Sequence, residues 1–183
     1  MYRGSAELLQ KSARYLVPVL EAIGSTNGLV LKSGETPWDI DLDGYTETTI
    51  KLLVLTAAKI RDARPGMSDT LITKIMLGVF GNVPAFDDNF WYGCKAAVIY
   101  AKFGEKSLKQ IGALYRQNMA LIDQYKVPTL GFSTGQPTGR QYTRAKVVDM
   151  ALFMEGVNRP RTSNTGASMR RLRANAQGVD GAL

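Results

Sequence analysis

EKSLKQIGALYRQNMALIDQY, residues 105–125, is the most legible helix in the chain. Leu108, Ile111, Tyr115, Ile122 and Tyr125 recur on one side, and Leu114 and Leu121 widen it. This is the spacing of an amphipathic helix lying on a core. The polar side is cationic. Lys109 and Arg116 are nearly eclipsed there, and Lys106 sits about 60° around from Lys109 at ~100° per residue. A helix with one apolar side needs partners to bury it, and the flanking sequence supplies more helices.

Toward the N-terminus, residues 5–23 place Leu8, Leu9, Leu16, Val19, Leu20 and Ile23 on an apolar side, with Pro18 predicting a kink or a join. GSTNGLVLKSGETPW, residues 24–38, is turn-rich, and its Leu29–Leu31 run allows a small strand. A central helix is expected from near Asp43 through IKLLVLTAAKI to Asp62, stopped by Pro65 and Gly66. Ser68 then reads as the N-cap of a helix carrying Leu71, Ile72, Ile75 and Met76. LGVFGNVPAFDDNFWYG, residues 77–93, predicts a tight turn at Gly78, Gly81 and Pro84, then an aromatic-rich helix.

Toward the C-terminus, VPTLGFSTGQPTG, residues 127–139, reads as a loop. Thr138 and Gln141 have capping-box spacing for a helix over QYTRAKVVDMALFMEG, closed by Gly156. Residues 158–183 offer little to pack. The expected architecture is all-α: a compact, bundle-like domain of five to seven helices over residues 1–156, with a flexible basic tail over 157–183.

Composition narrows the chemistry. The 183 residues are 45% hydrophobic, enough for a sizeable core, and include no histidine and one cysteine, Cys94. Histidine-liganded metal sites and histidine-dependent nucleophiles are thereby excluded, as are an intramolecular disulfide and a thiolate zinc cluster. No metal and no cofactor is expected. The opening segment lacks the uninterrupted apolar core of a secretion signal, and no apolar stretch is long enough to span a membrane. The expectation is a cytoplasmic protein.

The net charge is +7, unevenly placed. Lys95 to Lys126 forms one basic stretch, and the tail carries Arg159, Arg161, Arg170, Arg171 and Arg173 against Asp180 alone. Glu35, Asp39, Asp41, Asp43 and Glu47 form an acidic run. Such polarity favours an anionic partner, with DNA or RNA first. The candidate contacts are Lys106, Lys109, Arg116, Arg140, Arg144, Arg170, Arg171 and Arg173. Arg140 and Arg144 follow a glycine-rich loop at a helix start, a setting that cradles phosphate. They are also placed to pair with the Asp39–Glu47 region.

Other residues have structural and chemical readings side by side. Asp87 and Asp88 suit a helix start, or a metal or acid–base site joined by Glu47 or Asp149. Phe90, Trp91 and Tyr92 suit a core, or base stacking if exposed. Cys94 reads as a small buried hydrophobe.

Two resemblances arise at residues 77–93. LGVFGNVPAFDDNF, followed by YTRAKVVDMALF, resembles a pattern in small helical bacterial proteins of uncharacterised function. It spans about residues 45–156 and implies a helical fold and a bacterial source, with no activity attached. ITKIMLGVFGNVPAFD also resembles the helix-hairpin-helix of DNA-repair glycosylases, with Met76 or Leu77 as the hydrophobic residue and Gly78 and Gly81 as the turn. In that family one residue separates the glycines, whereas Val79 and Phe80 do so here. Asp87 lies too near to match the family's catalytic aspartate, and no turn lysine supplies a nucleophile. That resemblance therefore implies phosphate contact through turn amides rather than glycosylase chemistry.

The functional expectation is a non-enzymatic accessory protein that contacts nucleic-acid backbone. The alternatives are a protein-interaction or inhibitory module and a carboxylate-dependent enzyme acting on nucleic acid.

Overall fold

The computed structural model describes residues 13–131 and 133–159. Its described part is a bundle-like, mostly helical domain with six α-helices and one short hairpin. The helices are α1 (Ala13–Ser25), α2 (Glu47–Asp62), α3 (Asp69–Val79), α4 (Asp88–Ala96), α5 (Glu105–Ile122) and α6 (Arg144–Val157). Strands β1 (Pro128–Leu130) and β2 (Pro137–Gln141) pair antiparallel between α5 and α6, with Pro128 opposite Gln141 and Leu130 opposite Pro137. The expected tail lies almost wholly outside the described residues, Arg161, Arg170, Arg171 and Arg173 included.

The core follows from helical spacing. Ile50, Leu53, Ala57 and Ile60 recur on α2 every three or four residues and are all buried. Ile72 and Met76 from α3, Phe90 and Cys94 from α4, Leu108, Ile111 and Tyr115 from α5, and Val148 and Leu152 from α6 complete the cluster. Side-chain caps start four of the helices. Thr46 and Thr49 form a reciprocal capping box on α2, and Ser68, Asp87 and Thr143 cap α3, α4 and α6.

The start of α6 departs from expectation. Thr138 lies within β2, because the residues from Pro128 onward pair as a hairpin instead of running as a loop. The cap falls to Thr143, whose hydroxyl accepts from the Lys146 amide and donates to the Gly81 carbonyl at 2.6 Å. Leu29–Leu31 forms no strand.

Gly156 does not end α6; it lets α6 touch α4. A Cβ at Gly156 would sit 1.8 Å from the Asn89 carbonyl oxygen, and one at Gly93 would sit 1.9 Å from that of Leu152. Two helix backbones meet at these glycines with no room for a side chain.

The segment between α3 and α4 is buried rather than displayed. Asn82, Val83, Ala85 and Phe86 are all buried, and polar groups from distant elements pin the chain. The Tyr45 hydroxyl donates to the Asn82 carbonyl at 2.6 Å, the Asn82 amide donates to Pro37 at 2.8 Å, and Thr73 accepts from the Phe86 amide at 2.9 Å. Asp149, from α6, accepts from the Ala85 amide at 2.8 Å. These two turn amides are satisfied within the fold and are not presented to a phosphate.

Candidate nucleic-acid interface

The N-terminus of α6 is an anion site, and its anion belongs to the chain. Both oxygens of the Asp41 carboxylate accept backbone bonds there, from Arg144 N at 2.8 Å and Ala145 N at 2.9 Å. A helix start offers unpaired amides and the positive end of a dipole, and Asp41 satisfies both. The phosphate cradle expected of the glycine-rich loop is therefore filled from within.

Arg144 is drawn into the same junction. Its Nε lies 2.9 Å from Asp123, and Nη1 lies 3.2 Å from Asp43 and 3.6 Å from Asp41. Burial pulls the guanidinium down, but the Asp123 hydrogen bond and the Asp43 charge outweigh it and hold the group above its ordinary value. The Tyr115 hydroxyl donates to Asp123 from the other side. Of the two sequence readings for Arg144, pairing with the acidic run is the one the geometry displays. Asp39 is also held locally: the Thr36 hydroxyl and amide donate to it and lower its pKa.

The cationic side of α5 is present, with Lys106, Lys109 and Arg116 all exposed. They differ in company. Lys109 Nζ lies 3.7 Å from Glu105 and also acts, after Lys51, to lower the pKa of Glu47. Lys106 Nζ stands 4.9 Å over the Tyr100 ring, and Arg116 reaches the Tyr45 carbonyl at 3.4 Å. Neither Lys106 nor Arg116 is within 4.0 Å of a carboxylate among the described residues.

Arg140 stands apart from these, on the exposed strand β2. It lines a cleft of about 820 Å³ bounded by α3, the hairpin and the first turns of α6. Lys74 and Lys146 also line the cleft, each with a carboxylate: Asp87 lies 3.4 Å from Lys74, and Asp149 lies 2.7 Å from Lys146. Arg140 has no carboxylate within 4.0 Å among the described residues. The apolar surface comes from Leu77 and Val79 on α3 and from Met150 and Phe153 on α6. Sequence reading named Arg140 but not the cleft, because its walls come from α3, the hairpin and α6, which are distant in the chain.

The remaining candidates take structural roles. Asp87 caps α4 by accepting from the Phe90 amide at 3.1 Å, and Asp88 is exposed beside it. Glu47 pairs with Lys51 at 2.9 Å. No three acidic or cysteine side chains converge to hold a metal among the described residues. Phe90 is fully buried with its ring tilted against that of Phe86, centroids 5.0 Å apart, whereas Trp91 is partly exposed under Lys95. Burial pushes the Cys94 thiol up to about 12. Among the described residues no helix is long and apolar enough to cross a membrane.

No protein-family model, curated protein or solved structure matches the chain.

Proposed function

We propose that this protein is a non-enzymatic accessory factor of the bacterial cytoplasm that binds DNA or RNA through backbone phosphates. One observation carries the reading. Lys106, Lys109, Arg116 and Arg140 are all exposed in a chain of net charge +7, and only Lys109 has a carboxylate partner among the described residues. Long, solvated cations of this kind supply affinity and orientation without reading bases. Arg144 contributes indirectly, by neutralising part of the acidic junction. Arg170, Arg171 and Arg173 are proposed as further backbone contacts.

The test is salt-dependent binding of labelled duplex and single-stranded oligonucleotides of unrelated sequence. Changing Lys106, Lys109 and Arg116 together to glutamine should weaken binding to all of them alike. On duplex DNA the slope of log affinity against log salt should flatten by about 0.9 per phosphate contact removed. Absence of binding by the intact protein at about 50 mM salt, where such contacts are strong, overturns the proposal.

A protein-interaction module is the second reading, and one observation favours it. Met119, Leu121, Tyr125 and Leu130 expose apolar surface where α5 runs into the hairpin. Saturable, salt-insensitive binding to a protein partner, lost when Leu121 and Tyr125 become serine, would favour it over nucleic acid.

A further inference from the structure

We propose that the cleft between α3, the hairpin and α6 takes one unstacked nucleotide of a single strand, its base against the apolar wall and its phosphate on Arg140. This rests on the nucleic-acid reading and narrows it from any backbone to single-stranded substrate.

Size and charge both fit. A volume of about 820 Å³ lies within the range of small-ligand sites and is ample for one base with its sugar. Leu77, Met150 and Phe153 are partly exposed and offer an apolar surface for an unstacked base, with Phe153 as its aromatic member. The two carboxylates in the wall are already neutralised, Asp87 by Lys74 and Asp149 by Lys146 and the Ala85 amide. What remains uncompensated is the positive charge of Arg140. The matching ligand has an apolar planar body and one anionic group a few ångströms away.

Gly78 adds an independent observation. It lies in α3, lines the cleft and is exposed, and a Cβ built on it meets nothing within 4 Å. It is not among the glycines with positive φ. Neither backbone conformation nor close packing requires a glycine here, and glycine weakens a helix. Its effect in the fold is to leave the cleft wall bare. A base paired in a duplex cannot reach that wall, whereas a single strand can turn one outward.

The experiment measures anisotropy of a labelled single-stranded oligonucleotide and of its duplex at low salt, for the full chain and two variants. Gly78→Trp projects a ring into the cleft from a position with open space, and circular dichroism with a thermal melt verifies its fold. It should weaken single-strand binding at least tenfold and leave duplex binding unchanged. Arg140→Gln should weaken single-strand binding more than duplex binding. Unchanged single-strand binding by folded Gly78→Trp, or an equal loss on both substrates, overturns the cleft proposal while the broader reading stands. Absence of binding to either substrate by the unmodified protein overturns the broader reading, and this one with it.

Discussion

Gly93→Ala and Gly156→Ala should each destabilise the protein although alanine is the better helix former. On propensity alone either change favours the helix by about 0.5–1 kcal/mol. The structure opposes this with a collision against backbone. The new methyl carbon would lie 1.9 Å from the Leu152 carbonyl oxygen in one case and 1.8 Å from that of Asn89 in the other. Carbon contacts are optimal near 3.5–4.0 Å, so the shortfall is roughly 1.5 Å or more. A side chain would swing away; a helical carbonyl cannot, so α4 and α6 must separate along their whole contact. Overpacking in well-packed cores costs about 1–3 kcal/mol, and a backbone clash belongs at the upper end. The net expectation is a loss of about 2–2.5 kcal/mol per substitution, with the pair less than additive because one separation relieves both. Gly78→Ala is the internal control: with nothing within 4 Å, it should gain about 0.5–1 kcal/mol. Urea denaturation followed by circular dichroism reads all three as midpoint shifts at constant slope. Equal stability gains at Gly78, Gly93 and Gly156 would refute the close crossing of α4 and α6.

Two further outcomes test the core. Phe90→Ala should cost about 3–5 kcal/mol because its ring is fully buried, whereas Trp91→Ala should cost clearly less in the same melt. Cys94, with its thiol pushed from 9.0 up to about 12, should resist alkylation in the folded protein at pH 8 and react once urea unfolds it. A folded-state pKa raised above the unfolded value contributes stability below the unfolded pKa, and that contribution is lost as pH rises through the folded one. Stability should accordingly decline from about pH 9 toward 12, with the buried Tyr45 hydroxyl, also held well above its ordinary value, acting in the same direction. Rapid alkylation of the native protein, or a flat stability profile over that interval, would count against the buried positions of these groups.

Helix content was legible because it rests on period alone. Leu108, Ile111 and Tyr115 mark the buried side of α5 from spacing, although Leu121 and Tyr125, read onto the same side, are exposed because the helix is interrupted at Asn118 and ends at Ile122. Ser68 and its apolar followers place α3 correctly. The errors fall where long-range contacts choose between local options. Thr138 with Gln141 is a sound local cap, yet pairing of Pro128–Leu130 with Pro137–Gln141 places both residues in a strand. Gly156 looks like a helix stop, and only the nearness of α4 shows its missing side chain to be a packing feature. The end of α4 carries no glycine to announce it; Val98, at φ 57°, adopts the left-handed conformation that glycine usually supplies. The candidate cations were legible as charges, and so was pairing of Arg144 with the acidic run, but the choice between pairing and exposure was not. The i,i+4 spacing of Glu105 and Lys109 marks that pair on a helix, but nothing in the order of residues says that Arg140 has no carboxylate within 4.0 Å among the described residues.

That difference changes what the net charge means. The sequence sets a basic face against an acidic run, as though two surfaces addressed two partners. In the fold, much of the acidic run is directed at the chain itself. Asp41 binds the first amides of α6, and Asp41 and Asp43 together with Asp123 hold Arg144. The chemistry proposed for an external phosphate, helix amides assisted by an arginine, is thus complete with an internal carboxylate. A competing phosphate would have to displace Asp41 and leave it without the amides that compensate it, so this helix start is a poor entry point for a ligand. On the proposed reading, phosphate contact falls to cations without such a carboxylate partner among the described residues: Lys106 and Arg116 on α5, and Arg140 beside the cleft. The Arg144 junction instead links the acidic loop, the end of α5 and the start of α6, and so fixes where the hairpin carrying Arg140 stands.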